Sequence, residues 1–84
     1  MYYTYILQSK KDNNFYVGYT NDIRRRLSEH NSGKIKATRN RKPFKLILYE
    51  AFLHQQDATA REKYFKTGWG RKHLRAMLKN YLGG

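Results

Sequence analysis

The chain has no cysteine and a single proline among its 84 residues. Without cysteine, neither a disulfide framework nor a thiolate metal site can hold the fold together. Acids are also scarce: 6 Asp and Glu face 18 Lys and Arg, a formal charge of +12. The longest apolar stretch falls far short of the roughly 20 residues that a membrane-spanning helix requires. No basic segment followed by an apolar one opens the chain, so no secretory signal is expected and the sequence reads as soluble and cytoplasmic. Neither an internal repeat nor a low-complexity linker divides it. The length leaves room for one domain with a thin core, since so small a fold buries only about 60% of its unfolded surface. Eight tyrosines, four phenylalanines and one tryptophan are the material for packing.

Positive charge is what the chain has in excess. Self-repulsion at this charge density costs folding free energy, which argues against a merely solubilising surface. A polyanion is the partner that fits, bound through phosphate contacts and counterion release. An anionic membrane fits less well, because no basic amphipathic helix shows a large exposed apolar face.

Residues 2–8 alternate, with Tyr3, Tyr5 and Leu7 on one face and Thr4 and Ile6 on the other, and read as a strand. Lys11-Asp12-Asn13-Asn14 signals a turn, and residues 15–20 form a second, antiparallel strand. Thr20 or Asn21 can cap a helix ending near Asn31, with Asp22 at its positive end, Ile23 and Leu27 as its buried pair and Gly33 just beyond. Residues 34–43 lack an apolar period and carry Lys34, Lys36, Arg39, Arg41 and Lys42, a basic loop. Residues 44–53 are nearly continuous in apolar side chains and read as a third strand buried on both faces. Asp57 can cap a helix over residues 58–66. Gly68 and Gly70 break it around Trp69, and residues 71–82 form a last helix with Leu74, Leu78 and Tyr81 as its seam. The expected class is α+β, a three-stranded antiparallel sheet flanked by helices in the order ββαβαα.

The six acids can be sorted by position. Asp12 sits in the turn, Asp22 and Asp57 at helix starts, and Glu29 can pair with Arg25 or Arg26 on its own helix. Glu50 can face either way. Glu62 is four residues after Ala58 and three before Phe65, on the stripe that should face the sheet. A carboxylate there is costly unless it is paired or binds a metal. A salt bridge to Arg26 or Lys66 is one reading. The other is a Mg²⁺ ligand, since that ion often takes one or two carboxylates and keeps several waters. Tyr5 and Tyr16 fall on adjacent strands, where aromatic packing is the plain explanation. Gly18, inside a strand, suggests that a ligand or another backbone approaches closely. Arg26 and His30 share a helix face, which solvation alone would explain.

Together these residues form a pattern. Tyr3-Thr4-Tyr5, then Tyr16-Val17-Gly18, then Asp22-Ile23-Arg24-Arg25-Arg26-Leu27-Ser28-Glu29-His30 resembles the core of the GIY-YIG nuclease family. That family pairs a motif ending in tyrosine with a second beginning in tyrosine. A helical arginine follows, then one turn on a tyrosine or histidine, and a glutamate on a later helix. The resemblance implies Tyr5, Tyr16, Arg26 and His30 as catalytic residues and Glu62 as the ligand of one Mg²⁺ or Mn²⁺, with Gly18 and Tyr19 lining the site. Tyr3 and Thr4 replace the Gly and Ile of the first motif, and Tyr19 stands where some members carry lysine. It is most similar to small stand-alone bacterial members, and to the nuclease end of structure-specific and excision-repair enzymes.

The implied chemistry is phosphodiester hydrolysis. Tyr16 is the first choice of general base and Tyr5 its partner in positioning water. A free tyrosine has a pKa of about 10, and nearby cations should draw it down. His30 takes the proton or holds the tyrosine, and Arg26 stabilises charge on the phosphate. Lys34, Lys36, Arg39, Arg41 and Lys42, with Arg71, Lys72, Arg75 and Lys79 of the last helix, are placed to contact phosphates. The expected substrate is nucleic acid, DNA first, cut with low sequence specificity in repair or processing, with a protein partner as one source of specificity. The competing expectations are a non-catalytic DNA- or RNA-binding module of the same fold and a protein held by charge alone to an anionic surface or the ribosome.

Overall fold

A tight hairpin opens the fold in the computed structural model, which describes residues 1–83. Strand β1 (Tyr2–Ser9) runs antiparallel to β2 (Phe15–Thr20). Asn13 takes the left-handed conformation at the turn, φ 61°, and the Asp12 carboxylate accepts the Asn14 N–H at 2.9 Å. Asn and Asp suit such positions because their short polar side chains bond the local backbone. Helix α1 (Ile23–Asn31), a 3₁₀ turn (Arg39–Arg41), strand β3 (Phe44–Phe52) and helices α2 (Gln55–Phe65) and α3 (Gly68–Met77) follow. The order ββαβαα and the α+β class are those expected. No helix among the described residues is long and apolar enough to cross a membrane.

The sheet order is β2-β1-β3, with both pairings antiparallel. The doubly buried strand is therefore β1 and not, as the apolar run suggested, the third. Thr4, Tyr5, Ile6 and Leu7 are each no more than 2% exposed, whereas Lys45, Tyr49 and Ala51 of β3 face solvent. The run in β3 has another cause. Ile6 pairs with Leu48 but Leu7 with Leu46, so Ile47 is an extra residue in a bulge. A bulge shifts the side-chain alternation by one. Phe44 and Leu46 pack on one face of the sheet and Ile47 and Leu48 on the other.

Two small cores result. On one face Ile6 meets Phe65, Leu74 and Leu78 from the α2 and α3 side; on the other Tyr5, Leu7 and Phe44 meet Leu27 of α1. Leu27 and Ile23 are only half-buried, because α1 lies at the edge of the sheet's smaller core. The Thr4 hydroxyl donates to the Ala58 carbonyl at 2.6 Å and ties α2 to the central strand. Glu50 turns toward α2, where Arg61 grips it through Nε at 2.7 Å.

The helix boundaries differ from the sequence reading for local reasons. Asp22 itself caps α1, accepting the Arg25 N–H at 3.0 Å, while Thr20 accepts the Asp22 N–H one step earlier. Gly33 follows with φ 82°, as its place past the helix end suggests. Helix α2 starts at Gln55, so Asp57 lies in its first turn, favourable to the dipole, and is not the cap. Helix α3 starts at Gly68, not at residue 71. Thr67 caps it by accepting the Gly70 N–H at 3.0 Å. Gly70 is buried because α3 crosses the end of α2 so closely that any side chain would overlap the Tyr64 carbonyl. The helix ends at Met77. Leu74 and Leu78 are buried as expected, but Tyr81 lies beyond it, 42% exposed, bonded to Gln8.

Candidate active site

Cross-strand pairing builds the first half of the site. Tyr5 stands opposite Gly18, and its ring lies where a Gly18 side chain would be. The close approach read from Gly18 is thus made by the Tyr5 ring, not by a ligand or another backbone. An aromatic ring covering a strand glycine also fixes the ring's own position.

The Tyr5 hydroxyl lies 2.9 Å from His30 Nε2, and His30 Nδ1 lies 2.7 Å from the Thr38 hydroxyl. His30 and Thr38 are fully buried and Tyr5 is 2% exposed. Tyr16 stands edge-on to the imidazole, ring centroids 5.0 Å apart. Burial, joined by the charge of Arg26, pushes the His30 pKa down to about 4. The ring is therefore neutral at physiological pH, with one N–H donor and one acceptor. Burial likewise pushes the Tyr5 phenol up to about 12, against the pull of neighbouring Arg26. The expectation that surrounding cations draw a tyrosine toward phenolate therefore fails at Tyr5: desolvation of the charged form is the larger effect.

Arg26 is one-third exposed and bonds Glu29 through Nη1 at 3.1 Å. Burial opposes its charge, but Tyr5 and Glu29 outweigh that and hold its pKa above the ordinary value. Its Nε is buried without a hydrogen-bond partner. A lone buried donor on a cation is costly, and an anion would satisfy it. Arg26 and Tyr19 line one shallow depression with Arg25.

Glu62 comes from α2, between buried Ala58 and Phe65. Its carboxylate accepts from Lys66 Nζ at 3.0 Å. Of the two salt bridges that the sequence allowed, this one forms, and Arg26 goes to Glu29 instead. The Glu62 charge is also felt at Tyr5, where it opposes ionisation. Among the described residues no three His, Asp or Glu side chains gather. A divalent ion at Glu62 would have this one protein ligand, with water and phosphate oxygens completing its shell. The donor set suits Mg²⁺, which dehydrates reluctantly, better than a metal needing a protein cage.

Beside Tyr16 runs an open groove of about 620 Å³, whose cationic lining is Arg41, Lys66, Arg71 and Arg75. Arg41, Arg71 and Arg75 were expected to meet phosphates; Lys66 was not. Arg41 is partly engaged, holding Asp12 at 2.9 Å. Lys34, Lys36, Arg39, Lys42 and Lys72 are exposed but do not line this groove. Two further residues escaped the sequence reading. Thr38 holds the far side of His30. Asn31, next to His30, clasps β3 by donating to the Phe44 carbonyl at 3.2 Å and accepting the Phe44 N–H at 2.7 Å. A polar side chain so close to His30 was the available signal for Asn31; Thr38 gave none.

The candidate set is thus two strand tyrosines, a helical arginine and histidine, and a glutamate of α2. The GIY-YIG catalytic domain matches residues 1–75, and the chain belongs to that family, a superfamily of nucleases. It is similar to the UPF0213 protein YsiG of Lactococcus lactis subsp. lactis (strain IL1403), 44% identical over 82 residues, 96% of this chain and 78% of that one. The UPF0213 protein spr1390 of Streptococcus pneumoniae (strain ATCC BAA-255 / R6) is 48% identical over 65 residues, 76% of this chain but only 65% of its own length. The solution NMR structure of the UPF0213 protein BH0048 from Bacillus halodurans superposes with a TM-score of 0.57 at 38% identity, covering 92% of this chain and 85% of that one.

Proposed function

We propose that this chain is a divalent-metal-dependent endonuclease that hydrolyses phosphodiester bonds, of DNA in the first instance, with little sequence preference. The observation that supports it most is the unpartnered, buried Nε of Arg26 beside the Tyr5–His30–Thr38 chain. That donor suits a phosphate oxygen as negative charge grows on it.

In this reading Tyr5 remains a phenol and donates to His30 Nε2, while His30 Nδ1–H donates to Thr38. The Tyr5 oxygen then keeps its lone pairs for a hydrogen of the attacking water, which it positions. Tyr16, on the groove wall, is the base, and its phenolate form takes the water's proton to become the phenol. Arg26 holds the phosphate. Glu62 would hold the metal, and a bound divalent cation supplies polarisation of the phosphate and stabilises the leaving oxygen. Lys66, Arg71 and Arg75 hold the backbone in the groove, contacts that position nucleic acid without reading sequence. Selection then falls to nucleic-acid shape or to a partner protein, which suits a role in DNA repair or processing.

One feature favours a second reading. Glu62 is already engaged by Lys66, as in a non-catalytic binding module of the same fold. A cleavage assay on flaps, branches, single strands and duplexes decides between them, with wild type, Glu62→Ala and Tyr16→Phe compared with and without Mg²⁺. The nuclease reading expects Mg²⁺-dependent cutting that both variants lose. Salt-dependent binding with no cutting of any substrate supports the module, and Mg²⁺-dependent cutting by Glu62→Ala at the wild-type rate removes the metal assignment.

A further inference from the structure

Trp69 is the chain's one tryptophan and it is 78% exposed, in a protein with little apolar material to spare for its cores. Its place on α3 is informative. At about 100° per residue, the buried side carries Gly70, Leu74 and Leu78, and Arg71 and Arg75 lie next to it facing the groove. Continuing around the helix, Lys72 comes next, then the small Ala76 and Trp69. The Lys72 ammonium lies 5.9 Å from the indole centroid. A cationic path thus leads from the groove over Lys72 to an exposed aromatic ring.

We propose that Trp69 is a stacking platform for an unpaired base of a nucleic acid whose backbone follows this path. Phosphates would meet Arg71, Arg75 and Lys72, and the base would lie on the indole. Stacking on an aromatic ring with a cationic track for the backbone is how single strands are held without sequence preference. A protein partner could also use an exposed tryptophan, but the charged side chains on this face between it and the groove, Arg71, Arg75 and Lys72, are all cations that fit phosphate. A paired base cannot reach the ring, so the substrate class becomes nucleic acid with a single-stranded arm, such as a flap or a frayed branch. This inference rests on the nuclease reading for its biological sense, but its test measures binding alone.

Because Trp69 is the only indole, its fluorescence reports on this one position. Wild-type protein in EDTA, which prevents cleavage, is titrated with oligothymidylate, an abasic oligomer of the same length and a blunt duplex. Thymidylate should quench the emission, and the abasic oligomer and the duplex should bind with little quenching. Trp69→Ala, confirmed folded by circular dichroism, should bind labelled thymidylate at least about five-fold more weakly in anisotropy titrations. It should bind the abasic oligomer as wild type does, and Trp69→Phe should keep most of the thymidylate affinity. Binding without a change in emission, equal quenching by the abasic oligomer, or unchanged affinity in Trp69→Ala overturns the proposal. No binding of any oligomer also overturns it, and leaves the indole to a protein partner. Quenching by a protein that cuts nothing in Mg²⁺ keeps the platform and removes the nuclease reading; cutting without a Trp69 response does the reverse.

Discussion

The Tyr5 hydroxyl and His30 Nε2 are 2.9 Å apart, with the imidazole fully buried and the tyrosine 2% exposed. Tyr5 is at once a member of the Leu7–Phe44 core and a phenol close enough to Arg26 to feel its charge. On the proposed reading, water positioning and stability therefore depend on the same atoms.

Tyr5→Phe should separate these two roles. The ring still covers Gly18, but a buried imidazole nitrogen loses its partner, at a cost of about 1–3 kcal/mol. Urea denaturation should show that loss, and cleavage should fall at least ten-fold by the reasoning that a transition-state hydrogen bond is worth about that much. Gly18→Ala should destabilise by about 1–3 kcal/mol through overpacking, because the new methyl competes with the Tyr5 ring. A urea midpoint unchanged in Gly18→Ala would mean that the ring moves aside freely and is not fixed by the strand.

His30 gives the fold a pH dependence of definite sign. Its folded pKa, about 4, lies below the 6.5 of a free imidazole. Between those values the unfolded chain binds the proton and the folded one does not. Stability is thus fully present above about pH 6.5 and declines as pH falls toward 4, by roughly 3 kcal/mol in all. Chemical denaturation from pH 7 to 4 should show the slope, and His30→Gln should lack it. Asp12 contributes in a separate window: Arg41 first, then the Asn14 N–H, holds its carboxyl at about 2, below 3.8, so its contribution is lost only on acidification below about pH 4. A wild-type curve flat from pH 7 to 4 would contradict the buried neutral imidazole.

Glu62→Gln tests the metal assignment without disturbing the fold. The lost partner is a half-exposed Lys66 on the same helix, a contact worth about 0.3–0.5 kcal/mol. Stability should stay within that range while Mg²⁺-dependent cleavage falls by about two orders of magnitude or more, of the size a lost metal ligand produces. Equal losses of stability and activity would indicate a structural pair only.

Charge in the groove should be visible in salt titrations. Arg71→Ala and Arg75→Ala should each weaken nucleic-acid binding and lower the slope of log affinity against log salt by about one. Lys34→Ala and Lys36→Ala, off the groove, should change it less. Arg41→Ala should behave differently again, weakening the turn through Asp12 as well as binding. Equal slopes for all five variants would mean that the whole surface, not the groove, holds the ligand.

Much of this was readable in the residues, and the failures have physical causes. Alternation and turn chemistry give the hairpin, because both act within a few positions. Tyr5 and Tyr16 of the hairpin meet Arg26 and His30 of α1, as the residue spacing suggested, while Glu62 of α2 reaches them only through its charge. Strand order was not readable: that β1 lies in the middle depends on β3 crossing to its free edge. The β3 run misled because a bulge at Ile47 and burial on two faces leave the same apolar pattern. Gly68 and Gly70 looked like breakers, yet both lie in α3, and the nearness of the Tyr64 backbone makes glycine a requirement at position 70. Thr38 acts on His30 and Asn31 on Phe44, groups distant in sequence, and only Asn31, next to His30, carried a signal.

The position of β1 also has a consequence for assembly. Its bonds to β2 close a short turn, but its bonds to β3 join Ser9 to Phe44 and Tyr2 to Phe52, spans of 35 and 50 positions. Closing spans of that length is slow compared with forming a hairpin. His30 and Thr38 lie inside the enclosed segment, and Asn31 fastens it to Phe44. The imidazole is thus sealed against Tyr5 only when the last strand has docked. An emerging or partly unfolded chain thus carries its positive charge before the Tyr5–His30–Thr38 chain of contacts exists.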